Sequence, residues 1–132
     1  MPRRDPVDAW PTMTIVDTSV WIDFLRTGDP DLQRMLDANQ VLMHPMIVGE
    51  LACGRITERE VVLNLLQRLP SAPVASHREV LTFMGTQGLM GTGIGYVDAH
   101  LLAAAALAAP TQIWTRDRAL GTAGQSLGLV WT

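Results

Sequence analysis

The chain contains no lysine: all ten of its basic residues are arginines, set against thirteen acids for a formal net charge of −3. That absence excludes a Walker A phosphate loop, which needs its lysine, and Schiff-base chemistry, which needs a lysine amine. The acidic balance also argues against passive adhesion to nucleic acid, where basic residues neutralise phosphates. Any nucleic-acid chemistry must therefore draw positive charge from elsewhere. Cysteine is nearly absent; Cys53 alone forms no internal disulfide, which fits a reducing, cytoplasmic setting. No apolar stretch approaches the roughly 18 residues of a membrane span. The longest such run is Leu101–Ala109, and the first dozen residues lack the apolar middle of a signal peptide. What is there is ordinary for a globule: 132 residues, 48% hydrophobic and 17% charged, the size of one domain with one core.

Residues 1–12 mix proline, arginine and aspartate without periodicity and read as a loose extension, with Met13 as an alternative start. Residues 13–132 then read as a single domain. Thr14–Asp17 has a buried-strand pattern, and Thr18 or Ser19 is placed to cap a helix whose apolar face is Val20, Trp21, Phe24 and Leu25. Gly28-Asp29-Pro30 separates it from a helix over roughly Asp31–Ala38. Gln40–Met43 reads as a strand, and Pro45 opens a helix that carries Glu50. Thr57 with Glu60, and Ser76 with Glu79, have the spacing of capping boxes. A brief strand is expected at Val74-Ala75, a strong Ala/Leu helix over Tyr96–Ala109, a strand at Gln112–Thr115, a short helix at Asp117–Ala123 and a last strand at Gly128–Trp131. Alternating strands and helices favour an α/β fold of three layers, with a central, mainly parallel twisted sheet and helices on both faces.

In such sheets sites gather beyond the carboxyl ends of the strands. Asp17 closes the first strand, and Asp117 follows a later one by two residues, so both fall on the same rim. Asp98 lies in the first turn of its helix and Glu50 midway along another. Asp98 and Asp117 also suit plain helix capping, and Asp17 an ordinary turn. Glu50 sits in an otherwise apolar stretch, Met46–Cys53, where a buried acid is costly without a partner. Asp29, Asp31 and Asp37 read as solvated, while Asp23 is close enough to edge a pocket.

The block Val16-Asp17-Thr18-Ser19-Val20-Trp21-Ile22-Asp23 resembles the opening of a PIN domain of the VapC toxin type. Ile47–Leu51, Gly93–Leu102 and Trp114–Asp117 continue the resemblance in order and spacing across Thr14–Thr132. It implies a metal-dependent endoribonuclease, a homodimer, an RNA substrate and a cognate VapB-type antitoxin. It also makes Asp17, Glu50, Asp98 and Asp117 an acidic quartet. Crowded carboxylates raise one another's pKa unless neutralised. With no lysine available, a hard cation, Mg²⁺ or Mn²⁺, is the natural counter-charge. Asp17 and Asp98 are the expected principal ligands, Asp117 a second or water-mediated one, and Glu50 the group that orients or deprotonates the attacking water. Ser19 and Thr115 are expected to hold a carboxylate or a phosphate. Arg116 is either a phosphate contact or a solvated surface arginine.

Other features carry less. His100 points to a different side of its helix from Asp98 and is either a structural histidine or a contact for RNA or partner. His44 and His77 have no neighbours at metal-ligand spacing. Gly91-Thr92-Gly93-Ile94-Gly95 follows no clear strand, so a dinucleotide loop is rejected for a flexible loop beside the site. The competing readings are a phosphoacceptor-type Mg-binding regulatory domain, which lacks its lysine here, and an aspartate phosphatase, whose second aspartate is replaced by Ser19. A catalytically silent PIN module is the third, against which all four acids stand.

Overall fold

The structure, a computed structural model, describes residues 12–131. Met1–Pro11, nearly all of the expected extension and including Trp10, and Thr132 lie outside the described residues. The element order is β1 (Thr14–Val16), α1 (Thr18–Thr27), α2 (Pro30–Asp37), β2 (Val41–Leu42), α3 (Pro45–Ala52), α4 (Arg59–Gln67), α5 (His77–Thr86), α6 (Tyr96–Leu107), β3 (Gln112–Trp114) and α7 (Arg118–Ser126). Among the described residues the sheet has three strands in the order β2-β1-β3, all parallel, with Ile15 in register between Leu42 and Ile113.

Two isolated parallel bridges widen it, Met43 to Ser71 on one edge and Ile113 to Val130 on the other. The edge segment therefore sits at Ser71, not at Val74-Ala75 as the sequence suggested. Met43 donates to the Pro70 carbonyl and accepts from Ala72, so the chain is paired before it reaches Val74. The C-terminal segment likewise forms one bridge and not a full strand. Its close approach to α7 uses Gly124, where an added Cβ would lie 2.8 Å from Val130.

From β1 the chain steps outward through β2 to the Ser71 edge, then crosses back to β3 on the other side. Right-handed crossovers of opposite direction place helices on both faces, giving the expected three-layer α/β arrangement. The core is built from Ile15, Val16, Trp21, Ile47, Leu101, Leu102, Ile113 and Leu120, each at most 1% exposed. Trp114 is buried and packs against Trp131, ring centroids 4.4 Å apart and planes tilted by 42°. α6 is buried continuously from Ala99 to Ala105, as a helix apolar on all sides must be. Among the described residues no helix is long and apolar enough to cross a membrane.

Helix starts follow the sequence unevenly. Ser76 and Glu79 form the reciprocal capping box, and Pro45 occupies the first position of α3. Thr57 and Glu60 form none. Glu58 takes the cap position of α4 in the left-handed region, φ 54°, and no side chain caps the helix. Ile56 is drawn against the core, and Arg59 donates to the Ala52 carbonyl at the end of α3. Tertiary packing of this turn overrides the local signal.

Candidate active site

The reversal of strand order falls between β1 and β3. In α/β sheets this is where ligands bind, outside the carboxyl ends of the strands. Asp17 follows β1 there, and Thr115, Arg116 and Asp117 follow β3. The two exits are tied through the main chain, Asp17 N donating to the Trp114 carbonyl at 2.8 Å.

Asp17 is the anchor. Neither Thr18 nor Ser19 caps α1; Asp17 occupies the cap position, yet its side chain makes no capping bond. Instead Oδ2 accepts from Ser19 Oγ at 2.9 Å and from Thr115 Oγ1 at 2.7 Å, with the residue only 6% exposed. Both hydroxyls are occupied further. Ser19 Oγ accepts from the Arg116 N–H at 3.0 Å, and Thr115 Oγ1 from the Asp117 N–H at 3.0 Å. The strand exits are thus stitched together by side chains around one carboxylate, and both bonds to that carboxylate fall on Oδ2. The two hydroxyls hold a carboxylate, one of the two roles expected of them.

Asp98 lies three positions into α6 and accepts the Gly95 N–H on Oδ2 at 3.2 Å. Burial raises its pKa; the Gly95 hydrogen bond opposes this, and the charges of Asp17, Asp117 and Glu50 raise it further. The four acids therefore share one electrostatic neighbourhood. Asp117 caps α7 through Oδ2, which accepts from Leu120 N at 2.9 Å. Glu50 departs from expectation: it is exposed, not buried, and accepts from Thr18 Oγ1 at 2.8 Å. α3 turns its apolar residues Ile47 and Leu51 to the core, and Glu50 falls outside that stripe, so no buried partner is needed.

Arg116 is not a free surface cation. Its guanidinium pairs with Asp23 on α1 and, at 2.7 Å, with Asp29 at the head of α2. Asp29 is correspondingly not solvated; its Oδ1 caps α2 by accepting from Asp31 N and Leu32 N. Among the described residues no three His, Cys, Asp or Glu side chains stand close enough to hold an ion between them. The donor set, all carboxylate oxygen, fits Mg²⁺ or Mn²⁺.

The histidines form their own cluster with Tyr96. His44 is fully buried and caps α3, its Nδ1 accepting from Met46 N at 3.1 Å. The signal for this was the proline after it, which marks the cap position. His100 is buried, packs edge-on against Tyr96 at 4.6 Å, and among the described residues neither ring nitrogen has a hydrogen-bond partner. Burial, together with the His77 charge, lowers its pKa. His77 reaches Tyr96 OH at 2.7 Å.

Burial, aided by the His100 charge, pushes the His44 pKa down to about 4. Protonation would also remove the lone pair that caps the helix carrying Glu50. Because the unfolded state binds the proton more tightly, stability is full above pH 6.5 and falls as pH drops toward 4. The slope reaches about 1.4 kcal/mol per pH unit. His44→Asn keeps a capping oxygen without this titration, so denaturant melts from pH 4 to 7 should flatten in that variant. An unchanged slope would remove His44 as its source.

Residues 14–124 match the PIN domain family. Ribonuclease VapC32 of two Mycobacterium tuberculosis strains is 44% identical over 117 residues, spanning 89% of this chain and 94% of the relative. The crystal structure of PAE2754 from Pyrobaculum aerophilum superposes with a TM-score of 0.57 at 14% identity, covering 90% of this chain and 83% of that one.

Proposed function

Because the chain belongs to the PIN-domain family, in its VapC-type branch, we propose that it is a metal-dependent endoribonuclease toxin restrained by a cognate VapB-type antitoxin. What supports the reading is that Asp17 and Asp117 follow the two strands flanking the strand-order reversal, and that burial and then the charges of Asp17, Asp117 and Glu50 raise the pKa of Asp98. Asp17 is fixed by two hydroxyls on Oδ2, leaving Oδ1 for a cation. Asp98 supplies the second ligand, and Asp117, on the far strand exit, a water-mediated one. When bound, Mg²⁺ or Mn²⁺ supplies neutralising charge and acidifies a water. Glu50, exposed at the edge of the quartet and oriented by Thr18, takes the proton from the water that attacks phosphorus. RNA is the substrate.

The same reading makes the chain a cytoplasmic homodimer. The mass of the isolated chain in solution tests this.

Purified protein incubated with structured RNAs should cleave them in Mg²⁺ or Mn²⁺ and stop when a chelator is added. The metal should also stabilise the fold by mass action, by about 2.7 kcal/mol at a hundred times its dissociation constant, and so raise the melting midpoint. Cleavage that persists in chelator, with no metal-dependent shift in melting, would overturn the metal assignment.

A further inference from the structure

We infer that Arg116 is a positioning residue, whose guanidinium clamps the loop between β3 and α7 onto α1 and α2 so that Thr115 and Asp117 are held facing Asp17. The loop is only three residues long, Thr115 to Asp117, and two of them belong to the site. Its main chain docks on Ser19 through the Arg116 N–H. Its side chain docks on Asp23, four residues further along α1 and so on the same helix face. The second arm reaches Asp29 Oδ2 at 2.7 Å, while Asp29 Oδ1 is taken by two N–H groups of α2. Asp29 is thus an anchor already fixed by the fold, its side chain only 15% exposed. Two carboxylates on two elements, met by two nitrogens of one planar fork, is an arrangement that arginine makes and lysine does not.

A phosphate-contact role makes the opposite demand. Phosphate would have to displace Asp23 and Asp29, and removing either acid would free Arg116 for RNA. The two roles therefore predict opposite signs for the same substitutions.

Because the kinetic readout rests on the ribonuclease reading, a second measurement is made without RNA or metal. Arg116→Lys, Asp23→Asn and Asp29→Asn are compared with wild type; asparagine keeps the α2 cap at Asp29. Single-turnover cleavage should fall roughly 10- to 100-fold in each variant, with KM for RNA within about twofold, as for outer groups that orient a ligand. Asp23→Asn combined with Asp29→Asn should be no worse than either combined with Arg116→Lys. In the metal-free protein the Asp117 amide, bonded to Thr115, should exchange at least about tenfold faster, with the global midpoint little changed. Tighter RNA binding in Asp23→Asn or Asp29→Asn would overturn the clamp in favour of phosphate contact. An Asp117 amide that exchanges at the wild-type rate in all three variants would overturn it outright, even if the wild type cleaves no RNA.

Discussion

Asp17→Asn and Asp98→Asn are each expected to lower RNA cleavage by at least about 10³-fold while leaving the protein folded. Asparagine at 17 keeps a carbonyl oxygen for the Ser19 and Thr115 hydroxyls, so the tie between the strand exits survives while the ligand charge does not. At position 98 the electrostatics go further. The Asp98 pKa is raised by burial and by Asp17, Asp117 and Glu50, so the folded state holds its proton more tightly than the unfolded state. Its contribution to stability is full at low pH and is lost as pH rises through the folded pKa; at neutral pH the charged form opposes folding. Asp98→Asn should therefore melt at the wild-type temperature or above it in chelator, and lose the metal-dependent rise. Asp117→Asn should lose less, about 10²-fold, because its carbonyl still caps α7 and its charge acts through water. Single-turnover assays in Mg²⁺ and in Mn²⁺, with melts in chelator, decide the matter. Full cleavage by both variants would remove the site assignment. A marked drop in metal-free stability of Asp98→Asn would reduce that aspartate to a helix cap.

What the sequence made legible is what local chemistry governs. A short apolar strand ending in an acid placed Asp17 on the rim, and the Ser76–Glu79 spacing gave a true capping box. The Ala/Leu run of α6 required burial on every side. Periodicity alone could not see relations between distant segments. Thr57 and Glu60 have capping-box spacing, but the pull of Ile56 into the core puts Glu58 in the cap position instead. Glu50 looked buried because its neighbours are apolar, and only the orientation of α3 turns it outward. Val74-Ala75 reads as a strand, yet pairing with Met43 is used up at Ser71. Arg116, Asp23 and Asp29 are three unremarkable charges until the topology brings residues 87 and 93 positions apart into contact. Asp17, Asp98 and Asp117 were legible as candidates because they end or start elements, positions that sequence patterns mark. The ties of Arg116 to Asp23 and Asp29 were missed because they bridge elements.

Introducing a charge into the groove beside Glu50 is expected to weaken antitoxin binding while sparing catalysis. A cleft of about 460 Å³ runs between α1, α3 and α4, walled by Ile22, Leu25, Leu51, Ile56 and Val62, with Glu50 on its lining and Arg26 and Arg55 beside it. Trp21, on the apolar face of α1, is 1% exposed in the core, so the groove draws on the neighbouring Ile22 and Leu25. Apolar clefts of this kind receive the apolar face of an amphipathic helix. Acids on the partner would match Arg26 and Arg55, and an arginine at its end would meet Glu50 and the quartet with charge-assisted bonds. Inhibition would then combine steric filling with neutralisation of the carboxylates that catalysis needs. Ile22 is 43% exposed, so Ile22→Glu adds a charge to the wall at little risk to the core. It should weaken the complex at least about 100-fold, equivalent to about 2.7 kcal/mol, and leave the cleavage rate of the isolated chain unchanged. Co-expression with the product of the adjacent gene, mass measurement and a titration of inhibition provide the check. Undiminished inhibition of Ile22→Glu would place the antitoxin elsewhere, and a chain that the neighbour neither binds nor inhibits would remove the partner while leaving the catalytic assignment to stand on Asp17 and Asp98.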